Sequence, residues 1–399
     1  MNPEDEKRID RLIGHGQFKE AYSFLTQIFD VYKNDWTIYD KMAWLEINLN
    51  KECDKAITYI EKAKEKGAPL DRYHRIRADV YWTQGKKNQA VIEFEEAVKH
   101  EPSIDNLTAL ANAWMHLDYE KAYQIWETVI RKQPESKKAN LALSWIFGKR
   151  GDFNEALQQA QKVIGFYPEE PEAFLYAARA QQGLQRYKDA IQYYLSAQQK
   201  GCVQDFFFYK NLAICYFEVN DYIKAFISAR NCYMSFPNEF TNDEISKKCR
   251  EYILWLCGNK MDEESYECLR ISLEIWPDDS VFYAYMASFE CYYKKNYSLG
   301  QSYINKAFEI SHSQSDVLYM IKGSLLYDCF DNKIEGIKYL EKSVLINRNP
   351  VNLVALAARI SETDKKKSKE LYKEVLLKEA ENKDALYGLA LLPYDDSDS

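Results

Sequence analysis

Turn-forming residues are scarce in this chain, with 14 glycines and 10 prolines among 399 residues. So few helix breakers argue against a loop-rich all-β protein and for long helices joined by short turns. Long apolar runs are missing as well: none approaches the roughly 18 residues that span a bilayer. The opening MNPEDEKRID is acidic and carries no apolar core of a signal peptide. Nine cysteines include no CxxC, and His15, His74, His100, His116 and His312 form no HxxxH or HExxH pair. No metal site and no cofactor is expected from such spacing, and the cysteines read as reduced, buried thiols of a cytoplasmic protein. A basic excess is absent too. Fifty-three Lys and Arg against 61 Asp and Glu give a net charge of −8, which speaks against nucleic acid or a membrane as partner.

What the chain does have is a ladder. Pro102, Pro134, Pro168, Pro237 and Pro277 are separated by 32, 34, 69 and 40 residues, the 69 being two steps with Cys202 in place of a proline. Twelve residues before each of these prolines stands a small residue, and the series runs Ala21, Ala56, Ala90, Ala122, Ala156, Ala190, Ala225, Ser265, Gly300, Gly336, Ser368. A bulky residue follows four later in most units (Leu25, Ile60, Phe94, Trp126, Tyr194, Leu269, Ile304, Leu340, Tyr372), and a small or β-branched one seven later. Offsets of 0, 4 and 7 share one helical face. Each unit therefore reads as a helix, a tight turn and a second helix, with the small residue at the close crossing of the two.

These anchors, with local strings such as GQFKEA, LDYEKA, GDFNEA and NDYIKA, resemble the tetratricopeptide repeat family over residues 2 to 380. The expected fold is all-α, and the resemblance implies a right-handed superhelical solenoid. Residues 1–237 hold about seven regular units and 238–380 about four more, the first of them lengthened by the step of 40 from Ala225 to Ser265. That step calls for an extended first helix or a longer loop. Residues 381–399 supply a capping helix and an acidic tail.

Chemistry finds no foothold in the sequence. Gly14-His15-Gly16 lacks the rest of a phosphate loop and falls at an interhelix turn. The basic run Lys365-Lys366-Lys367-Ser368-Lys369 reads as a solvated turn. No catalytic residue is nominated, and a non-enzymatic protein is expected.

The resemblance implies that first helices line a groove that receives a partner segment. Positions 18, 15, 11 and 8 before each anchor make one face of the first helix, and positions 16, 12 and 9 before it make the core face. The first face carries eight Lys or Arg, five Asp or Glu and nine aromatics. Arg72, Arg75, Trp145, Arg179, Lys210, Lys247 and Arg250 on this face, with Asn211 adjacent to Lys210, are the candidate partner-binding residues, suited to a protein or peptide with acidic and apolar or aromatic side chains. Lys210 and Asn211 do not complete the carboxylate clamp of the family's chaperone-binding members. The leading function is a scaffold or adaptor. Alternatives are a peptide-responsive sensor of the same fold, with the long step as a hinge, and an RNA-binding helical repeat protein, for which this face is only thinly basic.

Overall fold

A computed structural model describes residues 1–259, 262–311 and 315–392. The acidic tail from Pro393 onward and His312 lie outside the described residues. Among those described there are eleven helix pairs and two further helices, with no strand. The chain divides into two compact units, Met1–Cys202 and Val203–Ser399.

The first unit holds six repeats: Pro3–Gly14 with Phe18–Tyr32, Trp36–Leu45 with Cys53–Glu65, Leu70–Thr83 with Lys87–His100, Ile104–Met115 with Tyr119–Lys132, Lys137–Arg150 with Phe153–Phe166, and Pro171–Gly183 with Tyr187–Gln199. The second holds five: Phe206–Glu218 with Tyr222–Ser235, Glu244–Asn259 with Glu263–Ile275, Ser280–Ser288 with Tyr297–Ile310, Asp316–Asp328 with Lys333–Ile346, and Pro350–Ile360 with Lys365–Lys378. Lys383–Leu391 follows as the expected last helix, its Ala385 buried against the preceding pair.

The anchors explain the pairing. In ten repeats the small residue is the fourth of the second helix, and Ser265 is the third of its own. All eleven are buried. The bulky residues four later, from Leu25 to Tyr372, are buried as well, so each pair closes over one continuous stripe. Where the anchor is glycine, even a methyl group would not fit. A Cβ on Gly336 would lie 2.8 Å from the Gly323 carbonyl oxygen and 2.9 Å from the Tyr327 nitrogen, so here the two backbones touch. The turns use left-handed residues to reverse the chain. Gly16 has φ +73°, which makes Gly14-His15-Gly16 a turn, whereas Lys51 and Lys295 hold φ near +60° at a cost glycine would not incur.

The 40-residue step is absorbed in a packed form. Part of it makes a short helix, Pro237–Asn242, and part makes the 16-residue helix Glu244–Asn259. Phe240 of the short helix is buried, with its ring centroid 5.9 Å from Tyr233 and 6.1 Å from Trp276.

Two first helices end differently from the rest. Trp36–Leu45 runs on into a π-helical turn, Glu46–Asn50, and Ser280–Ser288 runs on into another, Phe289–Tyr293. Each opens on or next to a buried glutamate. Glu46 accepts a hydrogen bond from Tyr22 Oη at 2.6 Å, and Glu290 accepts one from Tyr266 Oη at 2.7 Å. Burial, reinforced by the carboxylate, pushes both tyrosine hydroxyls well above their usual range. A buried carboxylate is tolerable only when hydrogen-bonded, and these tyrosines supply that bond from the preceding repeat.

Candidate functional site

The candidate binding residues fall four in each unit. In the first unit Arg72 and Arg75 stand on the third repeat's first helix, Trp145 on the fifth and Arg179 on the sixth. In the second, Lys210 and Asn211 share one helix, and Lys247 and Arg250 share the next.

Most of the cations already have partners one repeat away. Arg72 Nη2 is 2.5 Å from Asp40 Oδ2, and Lys41 pairs with Asp10. Lys210 Nζ lies 2.7 Å from Asp243 Oδ2, and Arg250 Nη2 lies 2.7 Å from Asp279 Oδ2. Hydrogen bonding and charge from Lys210 hold the Asp243 carboxyl below its usual range despite the opposing effect of burial. Arg75 donates to the Asp105 carbonyl oxygen at 3.0 Å and stays 3.9 Å from Asp79. Asp40, Asp243 and Asp279 lie outside the face as the sequence spacing drew it. Counted with its five acids, they balance its eight cations, and the small basic excess read from sequence disappears.

Lys138, Arg179 and Lys247 are different, because none has an acidic partner among the described residues. Arg179 lies 6.0 Å from the Tyr176 ring centroid on its own helix. Lys247 lines a cleft of about 440 Å³ with Lys210, Ile214, Asp243 and Glu251. Asn211 is half-buried beside Lys210.

The aromatics of this face separate into two kinds. Phe217, Phe282 and Phe289 are buried in the second unit, so they pack between helices and offer no contact surface. Trp82, Trp114 and Trp145 in the first unit are half-buried, and each ring has a lysine close by: Lys87 at 5.6 Å, Lys121 at 4.1 Å and Lys149 at 5.2 Å. Trp145 also meets Tyr119 edge to face, with centroids 6.0 Å apart. Phe207 is 57% exposed.

Three features escaped the spacing. Position 16 before the anchor belongs by spacing to the core face, yet it holds Asn106, Asn140 and Asn352, all buried. Their side-chain amides donate to carbonyl oxygens of the preceding turn: Asn106 to Glu101 at 2.9 Å, Asn140 to Pro134 at 2.9 Å and Asn352 to Asn347 at 2.8 Å. These bonds satisfy turn carbonyls that burial would otherwise strand. Asp40 occupies the same position and binds Arg72 instead. The third is Asp79, whose carboxyl is raised to about 6, chiefly by burial and against the pull of Arg75 and Arg72.

The cysteines behave as small core residues. Seven of the nine are buried, all are free thiols, and burial pushes Cys215, Cys232, Cys268 and Cys291 up to about 12. Among the described residues, no three His, Cys, Asp or Glu side chains converge to hold a metal ion, and no helix is long and apolar enough to cross a membrane.

Residues 141–201 match the tetratricopeptide repeat family. A TPR repeat-containing protein of Bacillus subtilis, YpiA, is 25% identical over 173 residues, which cover 42% of this chain and 40% of that protein. The match thus spans about two fifths of that relative's length. Among solved structures, pilF of Pseudomonas aeruginosa aligns with a TM-score of 0.48 at 18% identity, covering 53% of this chain and 97% of that one. A tetratricopeptide repeat protein from Parabacteroides merdae aligns at 0.43 and 14%, covering 72% and 96%. Residues 141–201 thus lie in the tetratricopeptide repeat family, whose members are in general protein-interaction scaffolds, and the same anchors recur in all eleven helix pairs.

Proposed function

We propose that this protein is a non-enzymatic scaffold or adaptor whose first-helix face in the first unit binds a segment of a protein partner. The observation that carries this reading is the run from Trp114 through Lys138 and Trp145 to Arg179. It combines half-buried indole rings with two cations that have no acidic partner among the described residues. Rigid aromatic rings give apolar contact at small entropic cost, and an arginine without an internal partner can take a partner carboxylate bidentately. Arg72, Lys210 and Arg250 contribute less, because a partner must first compete with Asp40, Asp243 and Asp279.

The test is affinity purification from the source cell with the wild type and with a Trp145→Ala/Arg179→Glu variant of unchanged circular dichroism. A partner captured by the wild type and lost from the variant is the expected result. Equal recovery by both proteins overturns the reading. Nucleic acid in the captured fraction, released near 200 mM salt, overturns it in favour of the RNA alternative.

A further inference from the structure

The third repeat carries an acid with an unusual environment. Asp79 lies on the same face as Arg72 and Arg75 and one helical turn before Trp82. Its side chain is 29% exposed, so it can be reached from outside. No donor among the described residues makes a hydrogen bond to its carboxylate, and the nearest cationic atom, Arg75 Nε, is 3.9 Å away. That is beyond hydrogen-bond range.

The neighbouring charges are already engaged elsewhere. Arg75 turns its Nη1 to the Asp105 carbonyl, and Arg72 is held by Asp40. Asp40 itself is 4% exposed, and its second oxygen, Oδ1, has no hydrogen-bond partner. The charged groups that act on Asp79 are Arg72 and Arg75 of its own helix and Asp40 of the preceding repeat, which opposes ionisation. Asp79 therefore stands near a second carboxylate with no hydrogen bond of its own, and Arg75 Nε, likewise buried without a partner, lies too far away to supply one, a condition that a largely buried acid does not hold without free-energy cost.

From this arrangement we infer that Asp79 is the docking point for a basic side chain, a lysine or arginine of the segment bound along the first unit. The inference rests on the groove reading above and adds the chemistry of one end of the ligand. A cation placed on Asp79 supplies the missing donor, while Trp82 offers its indole to the aliphatic stem. Lys138 and Arg179, further along the unit, have no acidic partner among the described residues and ask for the opposite charge. A segment with a basic residue on the side of Asp79 and an acidic one on the side of Arg179 is thus bound in one direction only.

The probes are three fluorescein-labelled dodecapeptides of identical Ala, Ser and Leu content, with Lys, Glu or Ala at two central positions. Binding to the full chain is read by anisotropy at pH 7.5 and pH 5.5. The expected result is preference for the Lys peptide, at least 10-fold weaker binding of it by Asp79→Asn, and weakening of the wild type at pH 5.5 as Asp79 protonates. Lys-peptide binding that is unchanged in Asp79→Asn overturns the inference and leaves the groove reading standing. Preference for the Glu peptide, lost in Arg179→Glu, does the same. No binding of any of the three at 1 mM overturns both. Asp79→Asn removes an unsatisfied charge, so its folding is not at risk, and a melting temperature at or above that of the wild type checks this.

Discussion

Replacing Gly336 by alanine is the sharpest test of how the repeats close. The new Cβ would sit 2.8 Å from the Gly323 oxygen, 2.9 Å from the Tyr327 nitrogen and 3.1 Å from the Tyr327 Cβ. Two of these three are backbone atoms, so relief requires Asp316–Asp328 and Lys333–Ile346 to separate by about half an ångström. Forcing extra volume into a packed crossing costs about 1–3 kcal/mol. Alanine is about 1 kcal/mol better than glycine inside a helix, which offsets part of this. The net expectation is a loss of up to about 2 kcal/mol.

Gly148 is the control: it lies in Lys137–Arg150 with nothing within 4 Å of its added Cβ, so Gly148→Ala should gain up to about 1 kcal/mol. Gly300 is the intermediate case, because its nearest obstacle is the Cys291 Sγ, a side-chain atom, with the Ala287 carbonyl oxygen next at 3.2 Å. Gly300→Ala should destabilise alone and recover most of the loss when combined with Cys291→Ala. Native-state hydrogen exchange, read at amides of the substituted helix, reports each change locally. A Gly336→Ala protein protected as well as the wild type or better would refute the close-crossing account.

Other expectations follow from the buried charges and the packed insert. Asp79 has its carboxyl raised from 3.8 to about 6, so its contribution to stability is greatest below pH 4 and is lost as pH rises through 6. The shift corresponds to at most about 3 kcal/mol, and partial exposure lowers it. Asp79→Asn should therefore stabilise the protein by about 1 kcal/mol at pH 7.5 and by almost nothing at pH 4, as read by urea titration. Tyr22→Phe and Tyr266→Phe each strip a buried glutamate of a donor and should cost about 1–3 kcal/mol, whereas Tyr32→Phe, whose Asp5 partner is only half-buried, should cost less. Phe240→Ala should cost about 3–5 kcal/mol if the short helix is part of the core, and proteolysis should then begin at 237–243.

Much of the fold was legible because a crossing helix pair tolerates only small residues, and that requirement repeats. The anchors from Ala21 to Ser368 and their partners four residues later are buried as the spacing implies. The site was less legible, since spacing along one helix says nothing about what the adjacent helix presents. Arg72, Lys210 and Arg250 stand on first helices, but their acids come from neighbouring repeats, about 30 residues away. The asparagines before Ala122, Ala156 and Ser368 sit at a core position for a reason hydrophobicity does not register, namely that turn carbonyls need donors there. Steps of 35 residues are equally mute. Between Ala190 and Ala225 the extra length lies in the loop 200–205, while between Ala21 and Ala56 a π turn is present, and the anchor spacing is identical.

Those two π turns have a consequence for how the repeats differ. An extra residue taken up in a loop leaves every helix face as it was. Taken up inside a helix, it rotates everything downstream by about 100° relative to the turns before it. The second and ninth repeats therefore show their neighbours a different side at the end of the first helix, and in both a glutamate is turned inward to meet a tyrosine. In an array whose units are otherwise interchangeable, such a phase slip is an address. A helix pair shifted by one whole repeat would bring Tyr22 or Tyr266 to a position with no carboxylate to receive it, so these two sites hold the order of the units as well as their packing.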